Sequence, residues 1–293
     1  MAPVWKEDAG LNARMMLSFV ILGVLYIVFL SILHYLGVGY IPLAIIASAM
    51  ILAQWYFSDK IVLWSSGAKI VSKEEYPRLH EIVERLSTNN GLPKPKVAMV
   101  NSPVPNAFAT GKSPKSSLVA VTTGILDLLD NDELEAVIGH ELSHVRSRDV
   151  LVLTLASLFS TVAWYLVRFG LFGGLGRNRN IAGSSAIVLL VAITTWVVSF
   201  LIIRAISRYR EFSADRGGAI MTGKPDKLAS ALLKISGKIK VIPPKELENV
   251  QKLNAFFIIP ALSGSSIANL FSTHPPVEKR VQKLMEMKSG VNK

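Results

Sequence analysis

Apolar residues along this chain gather into four unbroken blocks, 15–36, 41–57, 150–171 and 181–203, separated by segments in which apolar and polar positions interleave. At about 1.5 Å of rise per residue, such blocks span about 25 to 35 Å as helices, the thickness of a bilayer core. They predict four transmembrane helices. Arg168 is the only charge inside them and lies near the end of the third, where a long side chain can snorkel to the interface. The second block is the shortest, and a buried or re-entrant helix is its alternative reading. The first is too long for the apolar region of a signal peptide, and the cleavage look-alike Ala47-Ser48-Ala49 falls inside the next block, so the span is expected to be retained.

The interleaved segments read differently. Asp130 is a plausible N-cap with Glu133 as its capping-box partner and Leu129 and Leu134 at the staple positions, so a helix starts near Asn131. From there Leu134, Val137, Ile138, Leu142 and Val145 recur at helical spacing. Residues 73–89 and 226–238 read as amphipathic helices, 90–95 as a turn before a short strand, and 118–123 as a β-branched strand. A last helix begins near Pro275 and Pro276, with Val277, Val281 and Leu284 as its apolar stripe.

Composition agrees with a membrane protein, since 51% of the residues are hydrophobic and the mean hydropathy is +0.40. The formal charge of +11 is best placed beside anionic lipid, in preference to nucleic acid. Segment 58–149 carries 11 Lys and Arg, and Arg204, Arg208 and Arg210 follow the fourth block, whereas Gly37-Val38-Gly39-Tyr40 has none. Both large polar segments are therefore expected on the cytoplasmic side of the cell membrane, although Arg177 and Arg179 run against that assignment. The absence of cysteine removes thiolate metal sites and disulfides.

On the helix that starts near Asn131 lies His140-Glu141-Leu142-Ser143-His144. Positions i and i+4 share a face, so two imidazoles converge on one metal with Glu141 beside them. Zinc held by three protein ligands keeps a fourth site for water and lowers its pKa to about 7, and a carboxylate then takes the proton as that water attacks a peptide carbonyl. One Zn2+ per subunit is expected. A third histidine soon after the motif is ruled out because Ser147 and Val150 stand where such ligands require Gly and His. The blocks at 150–171 and 181–203 form a hairpin, and His144 and Glu211 then stand at about 9 and 12 Å above the same face on continuous helices. Glu211 is the geometric choice, with Asp215 one turn on to orient a ligand imidazole. A solvated acidic face opposite Arg208 and Arg210 is the alternative.

Five stretches, Asn106-Ala107-Phe108-Ala109-Thr110-Gly111, Val119-Ala120-Val121-Thr122-Thr123-Gly124, Glu135 through His144, Glu211-Phe212-Ser213-Ala214-Asp215 and Ser272-Thr273-His274-Pro275-Pro276, resemble the ordered signature of M48 metallopeptidases. The resemblance covers nearly the whole chain. It implies a mainly α membrane protein, with four transmembrane helices and an α+β gluzincin-type zinc peptidase domain containing a small sheet. By it His140, His144 and Glu211 are zinc ligands, Glu141 is the catalytic base and Asp215 supports a ligand histidine. With two spans before the motif helix and two after, the chain is most similar to the membrane-bound quality-control members, and prenyl-processing relatives have more spans. The substrates so implied are unfolded or misfolded membrane proteins and cytosol-exposed segments, with self-cleavage of exposed loops.

Weaker signals accompany these. The strand at 118–123, through Val119, Ala120 and Val121, is read as an edge to which an extended substrate adds. Asn106 follows a Pro-rich turn and offers its amide to substrate backbone. His274 either stabilises the oxyanion or caps the last helix. His34 and His80 are read as structural. The organisation is thus 1–57 with two spans, 58–149 as the first part of the peptidase domain, 150–203 with two spans, and 204–293 as its second part. An intramembrane protease is disfavoured because Asp130, Asp132, Glu133 and Glu135 precede the motif and Arg146, Arg148 and Asp149 follow it. A non-catalytic metal-dependent scaffold would not need Glu141.

Overall fold

The structure is a computed structural model that describes residues 9–36, 41–171, 185–242 and 274–290. Its order is α1 (Ala9–Tyr35), α2 (Ile41–Tyr56), α3 (Ser58–Ser66), β1 (Lys69–Ile70), α4 (Pro77–Asn89), β2 (Lys96–Val100), β3 (Ala107–Thr110), β4 (Leu118–Thr122), α5 (Thr123–Leu128), α6 (Asn131–Arg146), α7 (Asp149–Leu171), α8 (Ser185–Thr222), α9 (Pro225–Val241) and α10 (Val277–Ser289). The chain divides into two compact units. One draws its described residues from Tyr56–Leu151 and from Arg208 onward, the other from Ala9–Trp55 and Val152–Ser207.

In the second unit, Phe29 and Leu33 of α1 pack with Val162, Ala163 and Val167 of α7 and with Val188 and Ala192 of α8. The Tyr26 hydroxyl donates to the Ala156 carbonyl at 3.0 Å. The outward face of α1 remains apolar, with Met16, Leu17, Val20 and Ile27 all exposed. That is the inverse of a soluble helix. Two helices, Ala9–Tyr35 and Ala186–Thr222, are long and apolar enough to cross a bilayer, while Ala44–Tyr56 and Asp149–Leu158 are shorter apolar stretches. The expected turn at 37–40, the connection bearing Arg177 and Arg179, and the start of the fourth apolar block lie outside the described residues.

In the first unit a sheet of order β1-β2-β4-β3 is mixed, with β2 and β4 parallel and the two outer pairings antiparallel. Side chains alternate between its faces as the pleat requires. Val97, Met99, Val119, Val121 and Ala107 join α4, α5, α6, α9 and α10 in the main core. Ala98, Val100, Phe108, Leu118 and Ala120 meet Leu63 of α3 on the other face. With both faces covered and both neighbours paired, every residue of β4 is buried. This corrects the reading of 118–123 as an edge. The N–H and C=O groups of Val119, Ala120 and Val121 are committed to β2 and β3, so they are not available to an added peptide. The edge strands are β1, of two residues, and β3.

Helix α6 begins where its signals place it. Asp130 Oδ1 accepts from the Glu133 N–H at 2.9 Å, and Glu133 Oε2 accepts from the Asp130 N–H at 2.9 Å. Leu129 and Leu134 are buried in the same core. Histidine 80 is structural, its Nε2 lying 3.0 Å from the Val71 carbonyl.

Candidate metal centre

The centre is built where α6 crosses α8, and two glycines set the distance. A Cβ on Gly218 would stand 2.6 Å from the His140 nitrogen, and one on Gly139 would stand 2.7 Å from Thr222 Cγ2. A side chain at Gly218 would run into the backbone of α6, so a larger residue there would force the two helices apart. Gly218 follows Asp215 by three positions and Glu211 by seven, so all three share a face of α8. The same contact that needs Gly218 therefore delivers both carboxylates to the motif histidines.

His140 Nε2 and His144 Nε2 lie 3.1 Å apart. Glu211 Oε2 is 3.7 Å from the first and Glu211 Oε1 is 3.5 Å from the second. Ligands at zinc distances of about 2.0–2.2 Å around a tetrahedron stand about 3.4 Å from one another, so the three donors already have the spacing of a zinc site. The carboxylates beside the two rings lead to the same conclusion. His140 Nδ1 is 3.0 Å from Asp215 Oδ1, and His144 Nδ1 is 2.6 Å from Asp149 Oδ2. Ionised carboxylates only accept, so these partners assign the protons to Nδ1 and leave both Nε2 atoms as acceptors. Two imidazole lone pairs and a carboxylate thus converge with no proton among them. A cation is what such a set fits.

Around this trio the side chains are almost wholly enclosed. His140 is 1% exposed, Glu141 4% and Glu211 6%. Burial lowers the His140 pKa, keeping the ring neutral despite Asp215. Burial pushes the Glu141 carboxyl up to about 8, with Glu211 adding to that and His144 and the Ala109 backbone N–H opposing it. His274 Nδ1 lies 3.0 Å from Glu211 Oε2. It does not cap α10, whose N-cap is Pro276 with no side-chain bond. Ser272 and Thr273 of the same stretch lie outside the described residues.

Three residues at the centre carry no site reading in the sequence analysis. Arg280 is completely buried and grips Asp215 with Nε and Nη2 at 2.8 and 2.7 Å, while Nη1 lies 3.5 Å from Glu211 Oε2. Its signal is visible, because Arg280 falls on the apolar stripe of Val277, Val281 and Leu284. A charge at such a position requires a buried partner. Asp149 and Arg210 form the second pair, Arg210 Nη2 meeting both Asp149 Oδ1 and the Ser147 carbonyl. On a continuous helix Asp149 would face away from His144. The chain instead turns at Arg148, whose φ of 54° breaks α6 from α7 and brings Asp149 back. No local pattern announces that turn.

Beside His144 opens a small cleft, lined among others by Ala109, Thr110, Lys112, Arg148 and Asp149. Its strand residues belong to β3. Asn106 precedes β3, 2% exposed, and its backbone continues the pairing with Thr122.

Comparison with known proteins agrees with this architecture. The model of Peptidase family M48 matches residues 73–288. Protease HtpX homolog 2 of Methanosarcina acetivorans is 52% identical over 98% of this chain and 99% of its own length. Protease HtpX homolog of Moorella thermoacetica is 52% identical over 96% of this chain and 95% of its own, and Protease HtpX homolog 1 of Streptomyces coelicolor 42% over 96% and 93%. The crystal structure of S. mikatae Ste24p shares the fold, with a TM-score of 0.57 at 17% identity over 94% of this chain and 67% of that one. A family match across most of the chain, joined to end-to-end identity with these proteases, means that the chain belongs to peptidase family M48.

Proposed function

We propose that this membrane peptidase is a zinc endopeptidase that cleaves unfolded or misfolded membrane proteins and cytosol-exposed segments, as membrane protein quality control. The observation that carries the reading is the convergence of His140 Nε2, His144 Nε2 and Glu211 beside the buried carboxyl of Glu141. These three residues hold the metal. Zinc bound there supplies a Lewis acid that acidifies water and polarises the scissile carbonyl. Glu141 takes the proton of the attacking water and passes it to the leaving amine. Asp215 and Asp149 keep the two imidazoles in the tautomer that presents Nε2, each held in turn by an arginine, Arg280 or Arg210. His274 acts on the site through Glu211, as a positioning residue.

The substrate is an extended segment added to the outer edge of β3, with Asn106 at the start of that edge. Folded proteins cannot pair there, so the reading favours unfolded chains and the enzyme's own loops. Four spans, α1, α2, α7 and the first part of α8, cross the cell membrane, and the active site faces the cytoplasm. The distribution of Lys and Arg supports that orientation.

Detergent-purified protein tests this reading directly. It is expected to contain one zinc per chain, to cleave β-casein until a chelator is added, and to accumulate discrete fragments of itself. Cleavage that persists after complete removal of metal would overturn it.

A further inference from the structure

Helix α3 carries an apolar stripe that no described residue covers. Its inner side packs on the sheet, with Leu63 set against the cluster that contains Phe108 of β3. Phe57, Ile61 and Trp64, at positions i, i+4 and i+7, face the other way and are 44%, 45% and 86% exposed. Tyr56, the residue before the stripe, is also more than half exposed. A tryptophan left so open on a water-facing surface is unusual and marks an interaction surface.

Its surroundings select the partner. The stripe begins at the residue after α2, an apolar helix of 16 residues without a charge. Lysines gather around the aromatic rings, Lys112 Nζ lying 3.5 Å from the centroid of Tyr56 and Lys60 Nζ 5.7 Å from that of Phe57. Aromatic rings beside ammonium groups, on a short helix with one apolar face, are the composition of a segment lying in the headgroup region. A protein partner would be expected to meet the rings without a fringe of lysines, whereas anionic headgroups pair with that fringe.

We infer that α3 is an interfacial helix that seats its Phe57-Ile61-Trp64 stripe in the lipid headgroup region of the bilayer. Because Leu63 holds α3 against the sheet that ends in β3, this seating brings the free edge of β3 close to the lipid surface. Chain segments leaving the bilayer then meet that edge before they can refold. The inference does not depend on zinc or on hydrolysis, and a failure of either leaves it standing.

The chain contains no cysteine, so one probe at a time reads the seating in the full-length protein. Ile61→Cys, Trp64→Cys and Glu81→Cys, the last at an exposed position on α4, are each spin-labelled and placed in nanodiscs of phosphatidylcholine and phosphatidylglycerol. The ratio of accessibility to oxygen over a water-soluble nickel chelate is expected to be at least about threefold higher at 61 and 64 than at 81. Equal ratios at all three sites would show an aqueous stripe and overturn the inference. Exclusion of both reagents at 61 and 64 would overturn it as well, by showing a protein surface over the stripe, whether another part of this chain or a second copy.

Discussion

The two ends of α6 use charge in opposite ways. At its start, Glu133 meets Lys234 and Ser230, Glu135 meets Arg85 and Lys224, and Asp132 meets Lys224. The cationic partners there are 32–48% exposed and keep much of their hydration. At its other end Glu141, Asp149, Glu211 and Asp215 are enclosed, and among the described residues Arg210 and Arg280 are the buried permanent cations. Four carboxylates against two guanidiniums leave two negative charges that neutral imidazoles cannot offset. One divalent cation balances them. In the protein alone the strain falls on Glu141, whose pKa of about 8 lets it keep a proton at neutral pH. The first end is balanced by the chain itself, whereas the described residues leave the second two charges short, as the proposed metal site requires.

The largest effect that tests this contrast is expected at Glu141. Glu141→Gln removes the proton acceptor and keeps the shape, so zinc content and thermal unfolding should stay near wild type. Peptidase activity should fall by about 10²–10⁴-fold. Near-normal turnover of β-casein by the variant would end the assignment. Next in size is Gly218→Val, which forces α8 off the His140 backbone. It should cost about 1–3 kcal/mol by overpacking and release zinc at the same time. Gly237→Ala, in α9 with open space around it, is the control and should leave zinc content unchanged. Should both variants hold zinc equally, the close crossing does not set the donor spacing.

Asp149→Asn comes third. It keeps the shape of the partner of His144 but loses the charge that fixes the imidazole proton and faces Arg210. Zinc affinity should weaken about 10–100-fold, measured by competition with a chromogenic chelator. An unchanged affinity would make Asp149 a structural contact for Arg210 alone.

Legibility divides along the same line as the charges. The start of α6 is readable because capping box, staple and apolar stripe are all written within a few residues of one another. The meeting of His140, His144, Glu211 and Asp215 is readable too, since each pair sits one turn apart and α8 runs unbroken from its apolar part through both carboxylates. Strand order is not readable in this way. Leu118–Thr122 looks the same from within whether it lies at an edge or in the middle, and its neighbours come from residues 96–100 and 107–110. Alternation predicts a strand but not its partners. Asp149 is hidden by the turn at Arg148, whereas Arg280 interrupts an apolar stripe in plain view.

The smallest expected effect belongs to the balanced end and should leave the chemistry untouched. Burial alone would raise the Glu133 carboxyl, but hydrogen bonds from Lys234, Ser230 and the Asp130 backbone outweigh it, and its pKa lies below the ordinary carboxylate value. A carboxylate depressed in the folded state contributes stability that is complete above its unfolded value of about 4.3 and is lost as pH falls through the folded value. Wild-type protein should therefore lose stability on acidification below about pH 4.3, and Glu133→Gln should flatten that slope. At pH 7 the substitution should cost about 1 kcal/mol, because Lys234 is itself 43% exposed and part of the pair's attraction is screened. Zinc content and the rate of β-casein cleavage should not move. A change in either would mean that the two ends of α6 are coupled, and that the charge balance at the metal centre extends along the helix to its cap.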